Sequence, residues 1–251
     1  MRIYQNFREA LDETKRDLKE MGIRVHPQTM QDKDVHANPD YDTLELQNHA
    51  YVVTQPRLQD LEPTQPWANL EFAERVSGQL VNPGEAYKSR PEIWEEFLEK
   101  GDGHPSREKF SYTYAERFLH NGSKEWGDPQ DIDGPSKWDD STQLERLILN
   151  IKKYPDNRNH LLTVWDADDL WLVGEHRVPC SISYHFMYRD RSLFMTYQQR
   201  SADLATHLIN DVYLAARLQQ WVAEKLEWPV GRFTHFIGSL HAYQKDLEGV
   251  F

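Results

Sequence analysis

The sequence VPCSISYHFMYRDRSLFMTYQQRSAD, residues 178–203, decides the fold of this chain. Apolar side chains alternate with polar ones over residues 181–188 and again over residues 193–199, which is the period of half-buried β-strands. The polar run RDRS between them is typical of a tight turn. The stretch therefore predicts an antiparallel strand pair. Cys180 stands at the start of the first strand, with Ile182 and Tyr184 on its core face, and Arg200 follows the second.

Periodic apolar positions predict further elements on both sides of this hairpin. They favour helices at residues 4–21, 67–80, 91–98, 144–151 and 211–225, and strands at residues 43–53, 161–165 and 233–237. Residues 121–141, rich in Gly, Pro and Asp, are expected to form an irregular surface segment. Since no repeat or linker divides the chain, we expect one α+β domain over residues 1–251, with a mixed or antiparallel sheet packed with helices.

Composition narrows the class of protein. The chain has 251 residues, of which 39% are hydrophobic, and one cysteine. No apolar run approaches the roughly 18 residues that a membrane span needs, and the N-terminus lacks the apolar core of a secretory signal. A lone cysteine cannot form an internal disulfide, so we expect a reducing, cytoplasmic setting. The formal charge of -12 disfavours direct nucleic-acid binding but leaves room for a small phosphorylated ligand, which needs only a few local arginines.

Several chemically useful side chains follow one another in the C-terminal half. The order is Cys180, then the run Arg200-Ser201-Ala202-Asp203, then Asn210-Asp211, then Gly238-Ser239-Leu240-His241-Ala242-Tyr243. A thiol becomes a good nucleophile beside a positive charge, whereas an arbitrary lone cysteine is more often a buried small apolar residue. Here a proline precedes the cysteine and an alternating strand follows it, which favours the nucleophile over the buried residue.

This order resembles the catalytic half of the thymidylate synthase family. The Asn-Asp step and Gly-Ser-Leu-His are more similar to its phage branch, the deoxycytidylate hydroxymethylases. The resemblance implies that Cys180 attacks C6 of a pyrimidine nucleotide and that Arg200 and Ser201 bind the phosphate. It also implies that His241 and Tyr243 bind the sugar hydroxyl.

The resemblance extends to positions outside that run. Asp203 and Trp94 would face a folate, 5,10-methylenetetrahydrofolate, which serves as co-substrate; no metal is implied. Glu71 matches the catalytic glutamate, with Glu74 as a competitor, and Tyr114 matches a nucleotide-site tyrosine. Arg158 resembles an arginine that reaches the neighbouring subunit's phosphate, which implies a homodimer formed through a sheet face.

Position 211 bears on the choice of base. Uracil-specific members of the family place an asparagine eleven residues after the phosphate-binding arginine, and this chain has Asp211 there. A carboxylate accepts from the exocyclic amine of cytosine, whereas a one-residue shift to Asn210 would restore uracil. We therefore expect C5 hydroxymethylation of dCMP with water as the last nucleophile, for modified phage DNA in a host-cell cytoplasm. The alternatives are a dUMP hydroxymethylase, a C5 methylase of dUMP or dCMP, and a non-catalytic nucleotide-binding homologue.

Overall fold

The computed structural model describes residues 1–30, 33–99, 108–119, 141–173 and 176–251. The irregular segment expected at residues 121–141 therefore lies, apart from Ser141, outside the described residues. The strands are β1 Arg2–Tyr4, β2 Ile23–Val25, β3 Thr29–Met30, β4 Lys33–Asp34, β5 Thr43–Val53, β6 Leu161–Thr163, β7 Ser181–Arg189, β8 Ser192–Asp203 and β9 Val230–Tyr243. The helices are α1 Phe7–Met21, α2 Trp67–Arg75, α3 Pro91–Trp94, α4 Tyr114–Leu119, α5 Gln143–Lys153, α6 Leu208–Leu226 and α7 Leu247–Val250.

One mixed sheet organises the molecule. Its strands run in the order β1-β5-β9-β8-β7-β6, and β2 pairs with β5 outside that path. β7 and β8 form the predicted antiparallel hairpin, whereas β8 and β9 run parallel. The parallel register sets Ser201 beside Ser239 and Asp203 beside His241, so two of the motifs meet at one end of the sheet.

Helices cover the sheet and close a single hydrophobic core. α1 packs on β5, α6 packs on β8 and β9, and α2 packs on α6. The bulkiest fully buried side chains are aromatic residues of the sheet and α1, among them Tyr51, Tyr184, Tyr197, Phe7 and Phe233. The predicted α+β class, with a mixed sheet packed with helices, is confirmed. The one-domain extent over residues 1–251 and the use of a sheet face for dimerisation stay predictions.

Element boundaries differ from the sequence expectation where a local signal overrides periodicity. Tyr4 belongs to β1 rather than to α1. The Asn6 side chain accepts a hydrogen bond from the Glu9 N–H and caps the N-terminus of the helix, so α1 begins only at Phe7. α2 ends at Arg75 rather than near residue 80. In β7 a register shift between Ser181 and Ser183 leaves Ile182 exposed, although alternation predicts it on the core face. No helix in the described ranges is long and apolar enough to cross a membrane.

Candidate active site

Cys180 lies immediately before β7, beside the end of β8. The Arg200 backbone N–H donates to the Cys180 carbonyl oxygen at 2.7 Å, which brings the two side chains to the same edge. The Cys180 Sγ lies 3.9 Å from Arg200 Nη2 and 3.7 Å from Ser201 Oγ, and the cysteine is partly exposed. A guanidinium beside an accessible thiol is the arrangement that a cysteine nucleophile requires.

The Arg200 guanidinium is held in place by backbone carbonyls. Its Nε donates to the Pro179 carbonyl oxygen at 3.2 Å and its Nη2 to that of Val178 at 3.4 Å. On the other side, a Cβ built on Gly238 would lie 2.7 Å from the Arg200 carbonyl oxygen. A glycine at position 238 therefore allows β9 to approach the Arg200 backbone closely. This close approach explains why Gly-Ser-Leu-His begins with glycine.

His241 and Tyr243 lie on β9 next to Asp203. Their ring centres are 5.3 Å apart, and Asp203 Oδ1 accepts from the Ala205 N–H at 2.9 Å. Burial lowers the pKa of His241, so its imidazole is neutral at physiological pH. Burial raises the pKa of Tyr243, and the nearby Asp203 and Cys180 add to that rise. The site therefore offers a neutral imidazole and a protonated phenol, both able to hydrogen-bond a hydroxyl.

Asn210 points away from this group of residues. It is 1% exposed, and its Oδ1 accepts from the Thr64 N–H at 2.8 Å. Its Nδ2 lies 3.4 Å from both Thr64 Oγ1 and the Thr206 carbonyl oxygen. Both ends of the amide are thus engaged in fastening the loop at Thr64 to α6. The structure therefore gives no support to the sequence prediction that Asn210 contacts substrate.

Asp211, one residue later on α6, faces the sheet instead. Its Oδ2 accepts from Gln199 Nε2 at 2.7 Å. Burial raises the pKa of Asp211 to about 6, while the hydrogen bond from Gln199 and the charge of Arg75 lower it, and Asp203 and Glu71 raise it. The carboxyl group can therefore both accept a hydrogen bond and exchange a proton near neutral pH.

Glu71 is paired with an arginine that the sequence analysis did not single out. Its Oε1 accepts from Arg75 Nε at 2.7 Å, one helical turn along α2. Arg75 is only 7% exposed, and its guanidinium carbon lies 3.8 Å from the centre of the Tyr114 ring. Glu74, the competing candidate, instead accepts from the N–H groups of Glu85 and Ala86 and so fastens a turn. The charge of Glu71 also helps to raise the pKa of Asp211.

Tyr114 closes the site behind the thiol. Its hydroxyl lies 3.1 Å from Ser181 Oγ, which in turn lies 2.7 Å from the Tyr197 hydroxyl. Burial raises the pKa of Tyr114, with Tyr112 and Cys180 adding to the rise and Arg75 opposing it. Tyr114 is therefore a protonated phenol close to Cys180, and its role in a nucleotide site stays a prediction.

Trp94 lies in an aromatic cluster beside these residues. It stacks on Trp67 with ring centres 5.9 Å apart, and the Arg177 guanidinium carbon lies 5.0 Å from its ring centre. His207, at the start of α6, is 5.8 Å away. The buried Trp94 Nε1 has no hydrogen-bond partner among the described residues, whereas Arg90 Nε lies 3.8 Å from Glu92 Oε1. An unpartnered donor on an aromatic ring suits a polar heteroaromatic ligand.

Comparison with known proteins now identifies the family. The sequence model of thymidylate synthase matches residues 84–251, two thirds of the chain. The chain belongs to the thymidylate synthase family. The thymidylate synthase of Staphylococcus haemolyticus is 28% identical over 127 residues, which cover 51% of this chain and 38% of that protein. That of Lactococcus lactis subsp. cremoris is 32% identical over 111 residues, covering 42% and 39%.

The likeness to thymidylate synthases is broader in structure than in sequence. Thermostable thymidylate synthase A from Bacillus subtilis superposes with a TM-score of 0.74 at 17% identity, over 98% of this chain and 83% of that one. This shows the fold. The sequence matches, in contrast, span only about two fifths of the length of the curated relatives. A closer kinship with the phage deoxycytidylate hydroxymethylases stays a prediction.

Arg158 is, with Asn210, a predicted site residue that does not join the others within one chain. It is exposed, and its carbonyl oxygen lies 2.8 Å from His185 Nε2 on β7. His185 is four residues beyond Ser181, or ~13 Å along the strand. A role for Arg158 in a thymidylate synthase-like site therefore requires a second subunit, as the resemblance implies.

Three further residues lie among these candidate site residues but were not predicted from sequence. Arg75 stands four residues after Glu71, and that helical spacing of opposite charges could have revealed it. Gln199 could have been expected from its place beside Arg200 in the alternating strand. For Arg177 the sequence gives no signal, because its aromatic neighbours come from several distant segments.

Proposed function

We propose that this protein transfers a one-carbon unit from 5,10-methylenetetrahydrofolate to C5 of a pyrimidine deoxynucleoside monophosphate, as the family relationship suggests, and that the base is cytosine. The observation that carries the choice of base is the pair at positions 210 and 211. The Asn210 side chain is hydrogen-bonded to the loop at Thr64. The Asp211 carboxylate instead accepts from Gln199 and is close enough to Arg75 and Glu71 for their charges to shift its pKa.

The first half of the reaction uses the thiol and the phosphate contacts. Arg200 and Ser201 hold the nucleotide phosphate, while His241 and Tyr243 bind the sugar hydroxyl. The Cys180 thiolate adds to C6, and the π-electron pair of the C5=C6 bond moves onto C5, where it is delocalised through C4 toward N3. Asp211 accepts from the exocyclic amine and supports a proton on N3, which its raised pKa makes possible near neutral pH. C5 then has the electron density to form a carbon–carbon bond.

The second half decides the product. The folate supplies the methylene carbon that C5 attacks, and Trp94 and Asp203 are the residues that would hold it. The unpartnered Trp94 Nε1 supports this assignment. After the C5 proton and the folate nitrogen leave, an exocyclic methylene remains. Water directed by Glu71 adds to it, and the departing Cys180 thiolate restores the ring, giving 5-hydroxymethyl-dCMP and tetrahydrofolate.

A methylating thymidylate synthase-like enzyme is the second candidate, and the names of its relatives favour it. In that case the folate delivers hydride to the methylene and leaves as dihydrofolate. A hydroxymethylase acting on dUMP differs only in the base. The same site residues serve each of these reactions apart from Asp211, so the base and the final nucleophile have to be measured separately.

The experiment is incubation of the purified protein with dCMP or dUMP and methylene-labelled folate, followed by mass spectrometry of the nucleotide. We expect labelled 5-hydroxymethyl-dCMP, with no dihydrofolate formed. Cys180→Ser serves as the inactive control. Conversion of dUMP to a methylated product, with dCMP untouched, would refute the cytosine proposal. Turnover by Cys180→Ser equal to that of the unaltered protein would remove the nucleophile.

A further inference from the structure

A buried chain of hydrogen bonds leads from Asp211 through the sheet. Asp211 Oδ2 is 2.7 Å from Gln199 Nε2, Gln199 Oε1 is 3.0 Å from His235 Nε2, and His235 Nδ1 is 3.0 Å from the Tyr51 hydroxyl. Gln199, His235 and Tyr51 are each at most 1% exposed. They lie on three adjacent strands, β8, β9 and β5, so the chain crosses the core from the site inward.

The direction of donation along this chain is fixed by what each group can do. The pKa of His235 is lowered by burial to about 3, so the ring is neutral and carries a single N–H. Tyr51 can donate its O–H to Nδ1, which leaves the N–H on Nε2 to donate to the Gln199 oxygen. Gln199 must then turn its NH₂ toward position 211. The opposite direction would set the Gln199 carbonyl oxygen against the Asp211 carboxylate, which is repulsive when that group is ionised.

Ring packing holds the middle of the chain in this geometry. The His235 ring is stacked on Tyr197 with centres 4.7 Å apart and planes 13° apart. Tyr197 is itself stacked on Tyr184 at 4.9 Å. The imidazole therefore cannot rotate out of line without disturbing two fully buried tyrosines, and both of its nitrogens stay aligned with their partners.

We propose that Tyr51 and His235 are positioning residues which, acting through Gln199, determine the group that residue 211 presents to the base. Gln199 occupies one oxygen of Asp211 and leaves the other as an acceptor, which suits the amine of cytosine. An asparagine at position 211 would give its only oxygen to Gln199 and leave its NH₂, a donor that suits uracil O4. This inference rests on the proposed function, because it concerns how the same site distinguishes two bases.

The test removes a single buried hydroxyl group that lies at a distance from the substrate. Tyr51→Phe leaves His235 Nδ1 without its donor and frees the N–H to move to that nitrogen, so Gln199 can flip. We expect the dCMP-to-dUMP ratio of kcat/KM, and the matching ratio of Kd values from calorimetry, to fall roughly five- to tenfold, the effect of one buried hydrogen bond. Tyr213→Phe is the matched control, because Tyr213 lies on the same helix as Asp211 but is not part of this chain of hydrogen bonds. Its hydroxyl donates to Asn69 Oδ1 at 2.9 Å. We expect that variant to keep the ratio unchanged.

A spectroscopic readout tests the direction of donation without turnover. The ¹⁵N shifts of the His235 ring should report the Nε2–H tautomer in the unaltered protein and a loss of that preference in Tyr51→Phe. An Nδ1–H tautomer in the unaltered protein, or an unchanged base ratio in a folded Tyr51→Phe variant, would overturn the proposal. If the protein binds both nucleotides but converts neither, the proposed reaction fails, and the Kd ratio alone then decides on the positioning role.

Discussion

Replacing Asp211 by asparagine should raise stability at alkaline pH while changing the preferred base. Burial raises the pKa of Asp211 from the ordinary 3.8 to about 6 in the folded protein. An acid whose folded pKa is raised contributes favourably only below its unfolded pKa, and that contribution is lost as pH rises through the folded value. At pH 8 the folded state therefore carries an ionised carboxylate at a cost of about 3 kcal/mol, or about 2 kcal/mol after allowing for partial solvent exposure.

The assay is urea unfolding of the unaltered and Asp211→Asn proteins between pH 4.5 and pH 8. We expect Asp211→Asn to be about 2 kcal/mol more stable at pH 8, with most of this gain lost by pH 4.5. Asp190→Asn is the matched control, because Asp190 is exposed in the β7–β8 turn with φ of 49°, a conformation that asparagine also tolerates. We also expect the variant to prefer dUMP over dCMP. A stability difference that does not depend on pH, or a cytosine preference that survives, would refute the reasoning.

Two further substitutions test the framework of the site. Gly238→Ala should lower kcat/KM at least tenfold while the circular dichroism spectrum stays the same. The added Cβ would lie 2.7 Å from the Arg200 carbonyl oxygen and would displace the strand that carries Arg200. Full activity would show that this close approach is dispensable. Arg75→Met should lower the free energy of unfolding by about 3 kcal/mol, because it leaves Glu71 without its partner in a largely buried ion pair. The exposed Arg8→Met should have little effect in the same urea titration, and equal losses in both variants would contradict this assignment.

The hairpin and the sulfur beside it could be predicted from sequence because their signals are local. Alternation over residues 181–199 sets both strands, and the pairing of neighbours in the chain then brings Cys180 to Arg200. The parallel pairing of β8 with β9 could not be predicted, because α6 separates these strands and no local pattern records which strand lies beside which. The exposure of Ile182 could not be predicted either. A one-residue bulge changes which face of the sheet a side chain lies on, but it leaves the alternation in the sequence unchanged.

In the candidate site, too, some features could be predicted from sequence and others could not. The order from Cys180 to Tyr243 carries the family resemblance, and the structure gathers most of those side chains at one end of the sheet. The hydrogen-bond chain behind Asp211 has no sequence signature, because Gln199 and His235 are 36 positions apart and His235 and Tyr51 are 184 apart. A buried histidine and tyrosine in separate strands look like ordinary core residues until the register is known. Specificity determinants of this kind are therefore visible only in the folded chain.

The role of Arg158 can be decided by mixing two inactive proteins. Arg158 is exposed and lies beside His185 in the middle of β7, away from the thiol of its own chain. If it binds phosphate in the site of a partner subunit, a dimer of one Cys180→Ser chain and one Arg158→Ala chain contains one site with both residues intact. Co-refolding equal amounts should then restore about a quarter of the full activity, since half of the random dimers are mixed and each has one working site. Arg191→Ala, at an exposed turn, is the control and should be active alone. Light scattering that reports a single chain with full activity, or no recovery on mixing despite dimer formation, would show that Arg158 does not act across an interface.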